Sequence, residues 1–439
     1  MKKIISIIGI LLVIYIIFFI ITFEPNFSSS KSPEENNQST INTTGISDTK
    51  FPPETQFKPI KSQKIPLPKY LESYEDKVFH SKVTRITQRK LDPDKEHPYS
   101  KKGSAWNSDM SILCLGYKFY NAKTFKELPV SSQQNRKEAY KTVGSPRHGT
   151  GDMRWSTTNP NIMYVLSSNK KFISLRLNKE RTKTSINHEF LDLSKYEDVS
   201  FGKNEGNLDY KSQYIVFAAK KKDKNKVYAL FYKLGEKNIR WEKEIPHALW
   251  SAKNDEPNYF DWISIDPLAE HIVTSTNHHM HLYNLDLKNE IKLDDYASHG
   301  DLGIDVNGDP VYVQFIFHGD VGIYSYNLRH PKKPRIRLLP KKYSGGHLSC
   351  RNDKLHGWCY LSTSQEGYLE VIALKLDNGT GTVRRFAQTH MSFKGHDETQ
   401  VNVSPDGTKI LFASDWNINA PIDTYHVSYR SIKLTQTYP

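Results

Sequence analysis

Val401-Asn402-Val403-Ser404-Pro405-Asp406-Gly407-Thr408-Lys409-Ile410-Leu411-Phe412-Ala413-Ser414-Asp415 reads as a short strand, a tight Pro-Asp-Gly turn and a second apolar strand. Weaker copies of the phrase begin near Asn107-Ser108-Asp109-Met110, Ser156-Thr157-Thr158-Asn159, Asp209-Tyr210-Lys211-Ser212, Ser264-Ile265-Asp266-Pro267, Asp305-Val306-Asn307-Gly308 and Cys350-Arg351-Asn352-Asp353. Each is followed by a β-rich run, such as Ile112–Leu115, Met163–Leu166, Tyr214–Ala218 or Trp358–Leu361. Consecutive copies lie roughly 40 to 56 residues apart, the period at which four-stranded propeller blades recur. The repeat predicts an all-β chain, a seven-bladed β-propeller of four-stranded antiparallel blades.

A third strand with alternating apolar and aromatic residues follows each pair, as in Val227-Tyr228-Ala229-Leu230-Phe231-Tyr232 and Val321-Gly322-Ile323-Tyr324-Ser325-Tyr326. After residue 70 no segment carries a helical apolar stripe over three turns. Val78–Thr87 reads as a strand ahead of the first full repeat. Propellers close their ring by pairing such a strand with the last blade, which removes exposed edges. A pairing of Val83 with the segment Tyr425–Tyr429 is therefore expected.

Lys2 and Lys3 precede Ile4–Thr22, an uncharged apolar run of about 19 residues, long enough to span a bilayer core as a helix. No small-residue cleavage site follows, so residues 1–24 read as an uncleaved signal-anchor, with the lysines cytoplasmic and the remainder on the periplasmic or extracellular side. Residues 25–68, rich in Ser, Asn, Thr, Pro and Lys, read as a disordered tether, and 69–439 as the propeller. Formal charge is +13. On the far side of a membrane such charge points to acidic glycans, lipid head groups or a protein partner rather than to nucleic acid. Three cysteines are too few for a disulfide framework.

In a propeller the first strand of each blade lines the central channel, so the segments leading into those strands sit at its mouth. Here these segments include Gly151-Asp152-Met153-Arg154-Trp155, Tyr259-Phe260-Asp261-Trp262, His299-Gly300-Asp301-Leu302, Gly346-His347-Leu348-Ser349-Cys350 and Gly395-His396-Asp397-Glu398-Thr399-Gln400. They are unusually polar, and convergence of His, carboxylates and Arg154 on one mouth suggests a site.

The last repeat resembles the periplasmic Tol-type propellers. The wider set of phrases, Trp106-Asn107-Ser108-Asp109, Gly300-Asp301-Leu302-Gly303, Gly346-His347-Leu348-Ser349-Cys350-Arg351-Asn352, Gly357-Trp358-Cys359-Tyr360 and Glu398-Thr399-Gln400, is similar to propeller polysaccharide lyases acting on oligogalacturonate or ulvan. That resemblance implies a site for an acidic polysaccharide at the channel mouth, and the Tol likeness implies a peptide or protein partner instead. Oligogalacturonate lyases hold manganese with histidines along the first strand of the Ser-Pro-Asp-Gly repeat, where this chain offers Gln400 and Asn402. Uronate β-elimination needs a base of near-neutral pKa, an acid for the leaving oxygen and a cation on the carboxylate. The candidates are His299 or His347 as base, Tyr259 as proton donor and Arg154 or Arg351 as carboxylate clamp, since Arg forks match carboxylates. Asp301, Glu398 and Gln400 are further substrate-binding candidates, and His148 is a second-rank base.

His347-x-x-Cys350 and His356-x-x-Cys359 form two short ligand pairs, a set compatible with a structural zinc. A Cys350–Cys359 disulfide, or two buried thiols, fits the same spacing. His278-His279-x-His281 reads as a surface hairpin on the side away from the mouth. No Gly-rich phosphate loop, Gly-x-Ser-x-Gly elbow or His-Glu-x-x-His helix is present, which argues against nucleotide hydrolysis, esterase chemistry and helical metalloproteases.

Overall fold

The computed structural model describes residues 57–58, 60–87, 103–115, 118–144, 153–251, 256–297, 299–340, 347–363, 369–391, 399–416 and, for the backbone, 423–428. The expected anchor over residues 1–24, the tether up to residue 56, His148 and Glu398 lie outside them. Among the described residues no helix is long and apolar enough to cross a membrane.

Four of the seven turns share one physical cause. At the head of each, a short polar side chain accepts the backbone N–H that opens the second strand. Asn107 Oδ1 takes Ile112 N at 3.0 Å, Asp209 Oδ1 takes Tyr214 N at 2.6 Å, Asp266 Oδ2 takes His271 N at 2.6 Å and Ser404 Oγ takes Lys409 N at 3.0 Å. Side chains that mimic a backbone turn in this way favour Asn, Asp and Ser at that place. Each turn then feeds an antiparallel sheet.

Second in the chain is a sheet of Met153–Trp155, Ile162–Leu166, Lys171–Leu177 and Thr184–Asp192. The third holds Asp198–Ser200, Tyr214–Lys220, Tyr228–Lys233 and Trp241–Glu244, and the fourth Phe260–Ile265, His271–Thr276, Met280–Asn284 and Ile291–Asp294. Gly300–Ile304, Pro310–Ile316, Gly322–Asn327 and Ile336–Pro340 make the fifth; Leu348–Ser349, Trp358–Ser362, Glu370–Lys375 and Val383–Gln388 make the sixth. In each of these the strands lie in chain order, the pattern of propeller blades.

The first sheet pairs Ile112–Leu115 with Lys118–Asn121, and single bridges from Trp106 to Leu113 and from Tyr120 to Glu127 extend it on both sides. The seventh sheet combines the two ends of the chain. Asn402–Val403, Lys409–Ser414 and Asp423–Ser428 are joined by Lys82–Arg85, with Val83 opposite Val427 and Arg85 opposite Tyr425, and Ser73–Glu75 adds a fifth strand. The strand read at Val78–Thr87 therefore takes the closing position.

Core layers lie between neighbouring sheets. Phe172 of the second sheet meets Phe201, Phe217 and Tyr232 of the third with ring centroids 5.8, 5.1 and 5.9 Å away. The first strands also touch one another. Asn402 Oδ1 accepts Ala105 N at 3.0 Å, Val403 N donates to Ser349 Oγ at 3.2 Å, and Arg351 Nη1 reaches Leu208 O of the third sheet at 3.3 Å. These strands converge on a common axis.

Two segments depart from the reading of the sequence. Gln133–Val143 is an α-helix between the first and second sheets. Ser132 caps it by accepting Asn135 N at 3.3 Å, and Val143 is its one buried residue. A polar helix of this kind is held by its cap and by good helix formers, so it carries no apolar stripe to detect. Residues 57–58 and 60–68, expected as part of a disordered tether, form a strap on the sixth and seventh sheets. Ile60 N donates to Glu370 Oε1 at 2.5 Å, Gln63 N to Gln388 Oε1 at 2.9 Å, and Trp416 Nε1 to Ile65 O at 3.1 Å. Phe57 is 5 % exposed. Side-chain amides and a buried carboxylate supply the partners that this polar stretch could not supply to itself.

Candidate functional site

The first strand of a sheet starts on one face of the ring, here the lead-in face, and ends at the tight turn on the opposite, turn face. His299 and His347 lead into adjacent first strands, those of the fifth and sixth sheets, and their rings lie 4.5 Å apart at 32°. His299 is exposed and His347 is 8 % exposed, so one imidazole lies against solvent and the other behind it. Phe315 N donates to His299 O at 3.0 Å, which fixes the backbone beneath the outer ring. Gly300 follows directly. A Cβ there would lie 2.1 Å from the Tyr312 hydroxyl and 2.5 Å from Val313 O, so glycine lets Tyr312 pack under the histidines. Burial holds the Tyr312 hydroxyl protonated far above the usual tyrosine range, reinforced by Asp261, Glu205 and Asp301.

Phe317 completes the outer surface. Its ring meets His299 edge-on at 6.5 Å, stacks on Phe315 at 5.9 Å and is 43 % exposed. It lies after the second strand of the fifth sheet. Because strands alternate in direction, the turn between second and third strands returns to the lead-in face. The same count corrects the place of His278-His279-x-His281: Asn277 N donates to Tyr259 O at 3.0 Å, so that hairpin is on the lead-in side. His279 pairs there with Asp295 at 3.7 Å and His281 with Glu290.

Tyr259 is placed differently from the expectation. Its ring is covered by Lys203 Nζ at 4.1 Å, between the third and fourth sheets, and no described contact joins it to either histidine. Lys203 itself was missed. Nζ donates to Phe260 O at 2.7 Å and Trp250 O at 3.1 Å, and burial draws its pKa down to about 8, with Asp261 and Asp198 opposing. Its signal is Gly202 beside it: a Cβ at Gly202 would meet Ile263 O at 1.8 Å, so only glycine lets the two sheets come this close.

The two arginines do not join the histidines. Arg154 Nε donates to Gly206 O at 2.9 Å and Nη1 to Met153 O at 2.8 Å, while the guanidinium lies 5.3 Å from the Phe201 ring centre. Arg351 crosses the axis toward Leu208, Ser264 and Ile265. Asp301 accepts Leu302 N at 2.8 Å and Cys350 N at 2.7 Å, and faces Arg351 Nε at 3.7 Å. These three residues brace neighbouring first strands. Gln400 is half-buried with a positive φ of 39°, and Glu398 lies outside the described residues.

Arg154 and Arg351 line instead a cavity of about 50 Å³ toward the turn face, with Trp106, Trp155, Tyr210 and Asp353 among its walls. Neither histidine lines it. Tyr210 Oη donates to Cys350 O at 3.4 Å across the axis, and its ring stacks on His356 at 5.6 Å. Burial raises the Tyr210 hydroxyl far above its usual range and pushes the Asp353 carboxyl up to about 7, against Lys354 and Arg351.

The zinc expectation is corrected. Cys350 and Cys359 are joined in a disulfide, so neither sulfur is a thiolate ligand. His347 leads into its strand on one face while His356 stacks on Tyr210 at the other, with Nε2 3.2 Å from Asp353 O. Among the described residues no cluster of three or more His, Cys, Asp or Glu side chains can hold a metal. Asn402, at the place where manganese-binding histidines were sought, is committed to Ala105 N and, through Nδ2 at 2.7 Å, to Gly103 O. The residues here do not fit a manganese centre of that kind.

No family model matches the chain, and no curated protein does. Among solved structures it is similar to an oligogalacturonate lyase determined in complex with manganese, with 15 % identity and a TM-score of 0.55 over 83 % of this chain and 98 % of that one. It is also similar to a putative TolB from Agrobacterium tumefaciens, with 14 % identity and a TM-score of 0.32 over 54 % of this chain and 75 % of that one. The chain is a β-propeller, resembling the lyase structure in fold alone.

Proposed function

We propose that this chain is a seven-bladed propeller of the cell envelope that takes an acidic, uronate-containing polysaccharide at its lead-in face and cleaves it by β-elimination. Residues 1–24 anchor it in the membrane and residues 25–56 tether it on the periplasmic or extracellular side. The observation that carries the reading is the exposed His299 stacked 4.5 Å from the buried His347, with Phe317 exposed beside them. An exposed aromatic ring offers a flat face to a sugar, and a positioned imidazole is the commonest proton acceptor near neutral pH. In the step proposed, His299 removes the C5 proton, those electrons form the C4–C5 double bond, and the C4–O bond breaks. The leaving oxygen takes its proton from the second histidine, His347.

One observation favours a non-catalytic reading, in which the same face holds a glycan or a protein partner. The carboxylate clamp assigned to Arg154 and Arg351 faces another cavity, which leaves Lys203 as the described cation beside Tyr259. The experiment incubates the full chain with a panel of polyuronates and follows the ultraviolet absorbance of the unsaturated product, with glycan retention measured in parallel. Product formation lost in His299→Ala supports the lyase. Retention without product, abolished by Phe317→Ala, supports the binding module. Absence of both over the panel refutes the glycan assignment.

A further inference from the structure

The reading of the lead-in face leaves the turn-face cavity unused, although its walls hold the most costly groups on the axis. Arg154 is 4 % exposed and Arg351 8 %. A buried guanidinium is tolerated when its donors are filled, because taking an ion out of water costs several kcal/mol. Arg351 is poorly filled. Its contacts are Leu208 O at 3.3 Å, Ser264 Oγ at 3.5 Å, Ile265 O at 3.5 Å and Asp301 Oδ1 at 3.7 Å, and its Nε makes no hydrogen bond among the described residues. Asp301 takes two backbone N–H groups and lies 3.7 Å from Arg351 Nε, beyond hydrogen-bond reach.

Across the same void Asp353 Oδ1 is buried with no hydrogen-bond partner among the described residues. No described ion pair joins Asp353 to Arg351. A donor and an acceptor thus face one cavity without meeting, and each needs the complementary group. We propose that this cavity is a second binding site, for a hydroxy-acid end group such as that of a sugar acid. Its carboxylate would lie on Arg351 and its hydroxyl would donate to Asp353. Trp106 and Trp155 supply flat apolar walls. The cavity of about 50 Å³ has room for about two waters. It therefore admits only the polar tip of the molecule, and the remainder stays outside. Charge-assisted bonds to Arg are the strong class, which makes the carboxylate the anchoring element.

The inference stands independently of the lead-in face. The test titrates the full chain with D-glucuronate, D-glucose, acetate and an oligoglucuronate, reading tryptophan fluorescence and heat. Glucuronate binds at least tenfold more tightly than glucose or acetate, because each of those lacks one of the two groups. Ser108→Leu, which fills the void from a wall residue without altering charge, removes binding, and the near-isosteric Asp353→Asn weakens glucuronate while sparing acetate. His299→Ala leaves binding unchanged, so failure here and failure of the lyase reading are separable. Equal affinity for the monomer and the oligomer assigns the site to a free sugar acid, and preference for the oligomer assigns it to a chain end. Wild-type affinity in both Ser108→Leu and Asp353→Asn, or no preference for glucuronate over glucose and acetate, overturns the proposal.

Discussion

Replacing Glu370 with Gln should remove a large part of the fold's stability and release the N-terminal strap. The side chain of Glu370 is fully buried and that of Arg385 is 8 % exposed. They meet in a two-point fork, Nε to Oε2 at 2.8 Å and Nη2 to Oε1 at 2.6 Å. The same carboxylate takes Ile60 N at 2.5 Å, Arg385 also donates to Lys58 O at 2.9 Å, and its guanidinium lies 5.2 Å from the Phe57 ring. Removing one charge leaves the other buried without its ion-pair partner, which costs about 3–5 kcal/mol. Against a whole-domain stability of roughly 5–15 kcal/mol, that loss is large. The exposed pair Arg240–Glu236, 39 % and 36 % exposed, should by contrast be worth about 0–1 kcal/mol. The assay is urea unfolding of Glu370→Gln, Arg385→Met and the double variant Glu370→Leu/Arg385→Met, with limited proteolysis over residues 57–68. The double variant should recover much of the loss, because removing both buried charges is often close to neutral. A cost below about 1 kcal/mol for Glu370→Gln, with the strap still protected, would show that the pair behaves as a solvated one and refute the reasoning.

Four further outcomes are expected. His299→Ala should cut any lyase turnover by about 10²–10⁴ while leaving the unfolding midpoint nearly unchanged, as measured in paired kinetic and denaturation runs. Reducing the Cys350–Cys359 bond, which closes a short loop with a separation of 9 residues, should cost about 2–3 kcal/mol in urea unfolding, and chelators should have no such effect. Gly300→Ala should destabilise by about 1–3 kcal/mol. Tyr312→Phe should not rescue it, because Val313 O would still lie 2.5 Å from the new methyl. The last outcome concerns pH. Burial against Trp416 and Tyr74 draws His390 down to about 4, so the unfolded chain gains a proton first as pH falls, and this residue costs stability between about pH 6.5 and 4. Asp353, pushed up to about 7, is favoured in the fold as the acid, and its contribution is lost as pH rises from about 4 to 7. Relative to wild type, His390→Gln should therefore stabilise more the lower the pH in this window, and Asp353→Asn the higher. Parallel slopes for the two variants would contradict both assignments.

What was legible in the chain is what short-range chemistry decides. The residue at the head of the turn bonds to an N–H only a few positions away, as Asp209 does to Tyr214 and Ser404 to Lys409. That bond recurs at Asn107, Asp209, Asp266 and Ser404, four of the seven phrases, so the repeat, the strand pairs and the closing role of Val83 could be read directly. The helix Gln133–Val143 escaped because its stability comes from capping and composition, with Val143 alone buried. Register also carried His299 and His347 to one face, since each leads into a first strand of adjacent sheets.

Where those first strands met the rest of the ring was a matter for tertiary structure. Arg154, Arg351 and Asp301 all lie on or beside first strands, yet their side chains turn to carbonyls and N–H groups of other sheets, as Arg351 does to Leu208. Spacing left zinc, disulfide and free thiols equally open for Cys350 and Cys359, and the pairing of the two strands brought the sulfurs together. Residues 57–58 and 60–68 have the composition of a disordered segment and are ordered by partners more than 300 positions away, as Gln63 is by Gln388. The sequence by itself determined the repeat and the face on which a candidate residue begins, because those depend on bonds a few residues long. The tertiary structure decided which side chains meet, because a buried charge or an unfilled donor takes whichever partner the closed ring brings to it.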